Sequence, residues 1–389
     1  MKILAFSLLS LLVVPGLCGQ GIVPSENQRK IDLPLDQWLS AGPHRDFKAR
    51  SKIQKPRLTF QQRYLVRLVT TIDMRALQKN GVERDLHHVI KVADESGRWF
   101  PEETYSHSTF NASLHNTDLQ IVTDLYMLPG RYNVATIIYD SVQQIRDVLM
   151  KTVQVPQVKD DPLPDLAHHL SRVEFLPPSQ RGRYQLGHGT AWLPVSTKNA
   201  VQIELLVDAG NAYSASEDIL AANIVSQIRP SRGCVYVSVL DTLRQEIMFL
   251  HEEAQQLDWE KRGQQVLDRD LNTIDVAHLN ERNTGAFFRD RVQKLLEEKP
   301  ACPGMAQTPR RVFVVLTSGL GFVGGTIPKL EISPESVIST IHLRVGYIFF
   351  DNAQKVLRPL APRTKTAGNP VSFRREVKHI MDEIWQAGQ

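Results

Sequence analysis

Cysteine is scarce in this chain, with three residues among 389. That excludes a dense disulfide framework as the source of stability, and it excludes cysteine-rich metal modules. Long apolar runs are missing beyond the first 20 residues. No later segment reaches the roughly 18 uninterrupted apolar residues that a membrane helix needs, so no membrane span is expected. Charge of one sign is lacking too: the formal net charge is +4, and +3 without Lys2. Such a balance leaves no electrostatic footprint for nucleic acid. Hydrolytic signatures are absent as well, with no G-x-S-x-G, no H-E-x-x-H and no cysteine in a catalytic setting. What remains is ordinary globular material, 42% hydrophobic and 23% charged.

The opening MKILAFSLLSLLVVPGLCGQ has one Lys, an apolar run from Ile3 to Val14, and small residues after it. These are the parts of a signal peptide, expected over 1–19, so the mature protein is expected to be secreted or periplasmic. Lipidation at Cys18 is the alternative, although Leu17 is a poor residue to precede a lipid-modified cysteine. Cys234 and Cys302 then remain, and both a disulfide and two buried thiols stay open.

Residues 20–57 contain Pro24, Pro34, Pro43 and Pro56 and read as an extended arm. Over 58–155 the pattern changes to alternation. The segments 64–73, 87–94, 119–128, 132–140 and 148–155 are rich in β-branched and aromatic residues and are separated by turn signals. Short strands at this spacing predict an all-β antiparallel sandwich. The run PGRYNVATIIYD resembles the late strand of immunoglobulin-like modules, where a Tyr after a turn anchors a corner. The Pro- and Asp-rich stretch 156–170 reads as a linker, within a linker and lead-in over 156–197. Its His168 and His169 have no companion ligands at usable spacing and read as solvated, and His87 and His88 are read the same way.

From 198 to 389 the signature changes again. VQIELLVDAG is a nearly continuous apolar run, as in a strand buried on both faces. A helix follows, with a capping box at Ser214 and Glu217 and with Ile219, Leu220, Ile224, Val225 and Ile228 on one face. CVYVSVLD and QEIMFLHE suggest a hairpin, a helix is expected over about 274–298, and strands follow at 310–318 and 342–350. The acids of 250–271 are interleaved with Lys and Arg and read as a solvated helix face. A last amphipathic helix over 371–385 starts after Pro370. This alternation predicts an α/β doubly wound, mostly parallel sheet with an antiparallel edge strand, preceded by the sandwich.

That element order resembles a von Willebrand factor type A domain, and the whole chain resembles secreted acidobacterial proteins carrying such domains. Asp208 stands at a strand end, where the family begins a D-x-S-x-S metal motif, and Thr284 resembles its metal-site threonine. The motif here reads Asp208-Ala209-Gly210-Asn211-Ala212, so both serines are lost, and Ser318 replaces the family's second Asp. Mg²⁺ needs near-octahedral oxygen ligation, so the resemblance implies a degenerate adhesion site with no metal and no cofactor. It also implies a non-catalytic protein that binds a protein partner through the edge formed by Asp208, Gly210, Ala212, Thr284 and Ser318. In the type A order, Cys234 and Cys302 lie toward the opposite end of the sheet, where the loop around Cys302 can fold back to form a bridge.

The loop 319–324 spells G-x-G-x-x-G at Gly319, Gly321 and Gly324, and Asp351 follows at a strand end. A dinucleotide-binding enzyme is therefore the alternative reading. Pro328 and Pro334 interrupt the helix which that fingerprint requires, so the loop is read as a tight turn. Asn111-Ala112-Ser113 is a glycosylation sequon only in a host that glycosylates.

Overall fold

The computed structural model describes residues 31–46, 48–73, 84–110, 118–176, 186–210, 215–267, 283–317, 326–331, 339–346 and 352–389. The expected signal peptide, Ser214, the sequon, Ala212, Ser318, the loop 319–324 and Asp351 lie outside them.

Two five-stranded antiparallel sheets form the first layers. One has the order β1 (His44–Arg45), β9 (Ile145–Val155), β8 (Gly130–Asp140), β5 (Arg84–Asp94), β6 (Thr104–Phe110). The other runs β10 (Val173–Phe175), β7 (Asp118–Met127), β4 (Tyr64–Asp73), β2 (Arg50–Ile53), with β3 (Arg57–Leu58) also paired to β4. Strict alternation along β4 sends Val66, Leu68 and Ile72 inward, where they meet Ile90, Val134 and Ile138 from the facing sheet. Tyr132, just after the turn into β8, donates its hydroxyl to the Leu128 carbonyl at 2.9 Å and ties down that corner. The region read as an extended arm instead supplies helix α1 (Leu35–Ala41) and the strands β1 to β3. Trp38 and Leu39 of α1 cover the outer face of the first sheet over Val89, Ile137 and Val148.

The third large sheet has six strands in the order β15 (Glu246–Glu253), β14 (Gly233–Asp241), β12 (Val201–Asp208), β16 (Arg310–Thr317), β17 (Ser339–Val345), β18 (Arg363–Ala367). Its β14–β15 pair is antiparallel and its other pairs are parallel. The short β11 (Leu193–Val195) and β13 (Ile228–Pro230) form a separate parallel pair. Every residue of β12 is buried, as expected of a central strand with both faces covered. One face packs against α2 (Ala215–Val225), α3 (Trp259–Leu267) and α6 (Pro370–Ala387), and the other against α4 (Thr284–Glu297) and α5 (Ala353–Leu357). Helix α6 begins with Asn369 accepting from the Val371 and Ser372 amides and Pro370 in the first turn, and it buries Phe373, Val377, Ile380 and Ile384.

The expected fold class requires correction. The described residues are 22% helix and 42% strand and are mostly antiparallel β, not a doubly wound parallel α/β protein. The physical reason is that the sandwich strands are long, 10 or 11 residues each in β4, β5, β7, β8 and β9, and all pair antiparallel. Parallel pairing is confined to β11–β13 and to five strands of the six-stranded sheet. The histidine reading is corrected too. His168 and His169 are exposed, but His87 and His88 are both 2% exposed, because a strand two layers deep buries both of its faces. His88 points between the sheets, where its Nε2 lies 3.1 Å from the Thr70 hydroxyl. Burial pushes its pKa down to about 4.

The stretch 156–170 is fastened rather than free: Leu163 and Leu166 enter the core of the six-stranded sheet, and Asp161 pairs with Arg374 of α6. Between β3 and β4, residues Thr59–Arg63 make a buried turn that joins the sandwich to that sheet's helices. Gln62 holds a left-handed φ of 62°, and its amide donates to the Pro370 carbonyl at 3.1 Å and accepts from Arg374 Nε at 2.8 Å. Gln61 exchanges two hydrogen bonds with the Gly187 backbone, at 3.1 and 2.9 Å. A side chain at position 187 would put its Cβ 2.5 Å from Arg63 Nη1 and 2.8 Å from the Tyr126 ring, so only glycine fits. Cys234 and Cys302 are joined by a disulfide, with Cα atoms 5.6 Å apart. The loop reaches back because the Ala301 amide donates to Gln202 of β12 at 2.8 Å.

Two outcomes are expected from urea unfolding. Gln62→Ala strands a buried guanidinium nitrogen and a carbonyl, and should cost about 1–3 kcal/mol, whereas exposed Gln37→Ala should be neutral. An unchanged midpoint for Gln62→Ala contradicts the pinning role of the turn. Changing both Cys234 and Cys302 to Ser opens a loop of 68 residues and should cost about 4 kcal/mol in the chain-entropy model.

Candidate functional site

The C-terminal end of β12 carries Asp208, 3% exposed, beside the turn that leads from β14 into β15. The carboxylate is already engaged. Its Oδ1 accepts from the Thr242 amide at 3.0 Å and from the Gly210 amide at 3.3 Å. Asp241, fully buried, holds the same turn by accepting from the Arg244 amide at 2.9 Å and from its guanidinium at 2.7 Å. Burial, helped by the nearby Asp241 charge and opposed by the Thr242 and Gly210 bonds, pushes the Asp208 pKa up to about 6.

Gly210, where the expected motif would have a serine, sits in a tight place. A Cβ there would meet Asp241 Oδ1 at 3.0 Å and the Thr242 and Leu243 amides at 3.1 Å. A serine in that place would have to displace a turn held from both sides. Thr284 is fully buried at the first position of α4, which is capped by Asn283 accepting from the Ala286 amide at 2.9 Å. Asn283 also donates to the Thr326 carbonyl at 3.1 Å and holds the helix start to the 326–331 segment. The structure thus couples Asp208 and Gly210 directly and seats Thr284 at a helix start. Ala212 and Ser318 lie outside the described residues. The sequence offered no signal for the part played by Thr242 and Asp241, because a turn that donates its amides across the sheet leaves no motif. One exposed apolar residue marks this end of the sheet: Ile247, 40% exposed on edge strand β15, pairs in register with Leu240, which neighbours Asp208.

No family model matches the chain. No curated protein matches it either. Among solved structures, a structural-genomics target named SoR45 is similar at 11% identity over 28% of this chain and 86% of that one, with a TM-score of 0.19. A glycosyl hydrolase family 2 member from Bacteroides cellulosilyticus aligns at 6% identity, TM-score 0.21, over 69% of this chain and 36% of its own. A calcium-binding mutant of Bacteroides uniformis β-glucuronidase 2 aligns at 7% identity, TM-score 0.19, over 69% of this chain and 33% of its own. The chain therefore spans about a third of the length of these two hydrolases, and similarity at such scores carries no functional argument. Among the described residues, no helix is long and apolar enough to cross a membrane.

The Asp208 environment gives a signed pH dependence. Its folded pKa lies above the ordinary 3.8, so the folded state binds the extra proton, and this contribution to stability is full below 3.8 and lost as pH rises through about 6. Asp208→Asn keeps the acceptor and removes the charge. It should therefore raise the melting temperature at pH 7.5, with an upper limit of about 3 kcal/mol, and the gain should vanish near pH 4. A gain of equal size at both pH values contradicts the assigned burial cost.

Proposed function

We propose that this is a secreted or periplasmic, non-catalytic protein-binding or scaffolding protein with a degenerate type A adhesion edge, which engages its protein partner without a metal. The observation that carries the reading is the state of Asp208: backbone amides occupy one of its carboxylate oxygens, Oδ1, and a Cβ at position 210 would crowd the same turn at 3.0–3.1 Å. A hard divalent cation demands several oxygen ligands in fixed geometry and is lost when they are taken. The exposed Ile247 beside this turn supplies an apolar contact of the kind that anchors protein interfaces. The Cys234–Cys302 disulfide supports an oxidising compartment.

A photo-crosslinking residue placed at Ile247 in the native host tests the proposal, with one at exposed Val142 of the sandwich as control. The expected result is a discrete crosslinked product at 247 and not at 142, unchanged by chelator and lost when Thr242→Pro disrupts the turn. No product at 247, the same product at both positions, or a product abolished by chelator would sink the reading.

A further inference from the structure

The outer face of the sandwich holds a second constellation, unrelated to the Asp208 edge. Asp85 and His87 stand two residues apart on β5, and His107 of β6 is the direct cross-strand partner of His87. Residues two apart on a strand share a face, and so do directly opposed residues, so all three side chains project together. Their ligand-type atoms all lie within 4.8 Å of one another, and among the described residues this is the only such group of three. His107 Nε2 contacts Asp85 Oδ1, and the two imidazole rings are stacked with centroids 4.7 Å apart.

His87 gives the independent sign of a ligand. Its side chain is 2% exposed, and its Nε2 faces Asp85 Oδ2 at 3.3 Å without alignment for a hydrogen bond, so the nitrogen is buried with no hydrogen-bond partner. A buried nitrogen in that state costs free energy. A cation between Nε2 and the carboxylate removes the cost. The 3.3 Å separation also suits two ligands of one tetrahedral ion, since bonds of about 2.0–2.1 Å place ligand atoms about 3.3–3.4 Å apart.

The surroundings fit the same role. His87 Nδ1 lies 2.7 Å from the Tyr105 hydroxyl, which orients the ring and leaves Nε2 toward Asp85. Ser141 donates its hydroxyl to Asp85 Oδ2, steadying the carboxylate. Both strands belong to a paired sheet, so the three ligands are held on rigid elements.

We propose that Asp85, His87 and His107 form a binding site for a divalent transition-metal ion of the zinc class, with water completing its coordination. Two imidazoles with one carboxylate favour such an ion over Mg²⁺ or Ca²⁺, which take oxygen ligands. The site is independent of the proposed binding edge, and its failure would leave that reading untouched.

The test uses untagged full-length protein stripped of metal and titrated with ZnCl2 against a chromophoric chelator. One saturable equivalent is expected, with no response to MgCl2. His107→Gln and Asp85→Asn should weaken binding by at least about tenfold, the scale already reached when only a supporting partner is removed. His188→Gln, at an exposed histidine elsewhere, should leave it unchanged. Circular dichroism checks that the variants fold. X-ray absorption on the zinc-loaded wild type reads the ligands directly and should show two imidazoles, whether or not the variants fold. The absence of saturable binding overturns the assignment, as do unchanged affinity in folded His107→Gln and Asp85→Asn, or a coordination shell without two imidazoles.

Discussion

The turn Thr59–Arg63 is the constraint on which the arrangement of the molecule depends. A surface hairpin would leave its polar groups to water, but here both layers press on it and every one of its five residues is buried. Desolvated amides and a guanidinium must then find protein partners or cost several kcal/mol. Gln61 meets Gly187 and Asn223, Gln62 meets Pro370 and Arg374, and Arg63 pairs with Glu174. Phe60 adds an edge-on contact with Phe373, ring centroids 5.5 Å apart. These partners come from the sandwich, from the segment after it and from two helices of the six-stranded sheet. The left-handed backbone at Gln62 is tolerated because side-chain hydrogen bonds on both sides hold it there.

The same logic operates at the end of β12. A carboxylate buried at a sheet edge needs compensation, and either a metal or a set of amides can supply it. This chain uses the Thr242 and Gly210 amides, and a Cβ at 210 would crowd that turn at 3.0–3.1 Å. The glycine at 210 and the capture of the carboxylate are thus two sides of one packing solution. On the sandwich, His87 presents the opposite case, a buried Nε2 that lies 3.3 Å from Asp85 Oδ2 and makes no hydrogen bond.

Much of the local structure was legible in the sequence. The alternation in 64–73 and 132–140 marked β4 and β8, and the Pro370 start marked α6, because these signals belong to the periodicity and capping of one segment. Strand β6 was missed. Its TYSHSTF is polar on both sides and lacks an apolar face, since it forms the sheet edge. Missing it hid His107, and with it the group that includes His87. The fold class needs correction for a different reason: a doubly wound parallel sheet was expected after the sandwich, but the long antiparallel strands of the first half dominate the content.

By itself the sequence determined many of the strands and helices, among them β4, β8 and α6, and that charge is balanced, because each is a property of neighbours along the chain. Only the tertiary structure decided that Gln62 meets Arg374, 312 positions away, that Cys302 reaches Cys234, and that Asp208 Oδ1 accepts from the Thr242 amide of a neighbouring turn. It also decided that His87 is buried rather than solvated. Burial and pairing arise when distant segments exclude water together, and no period or motif within one segment records which partner will arrive.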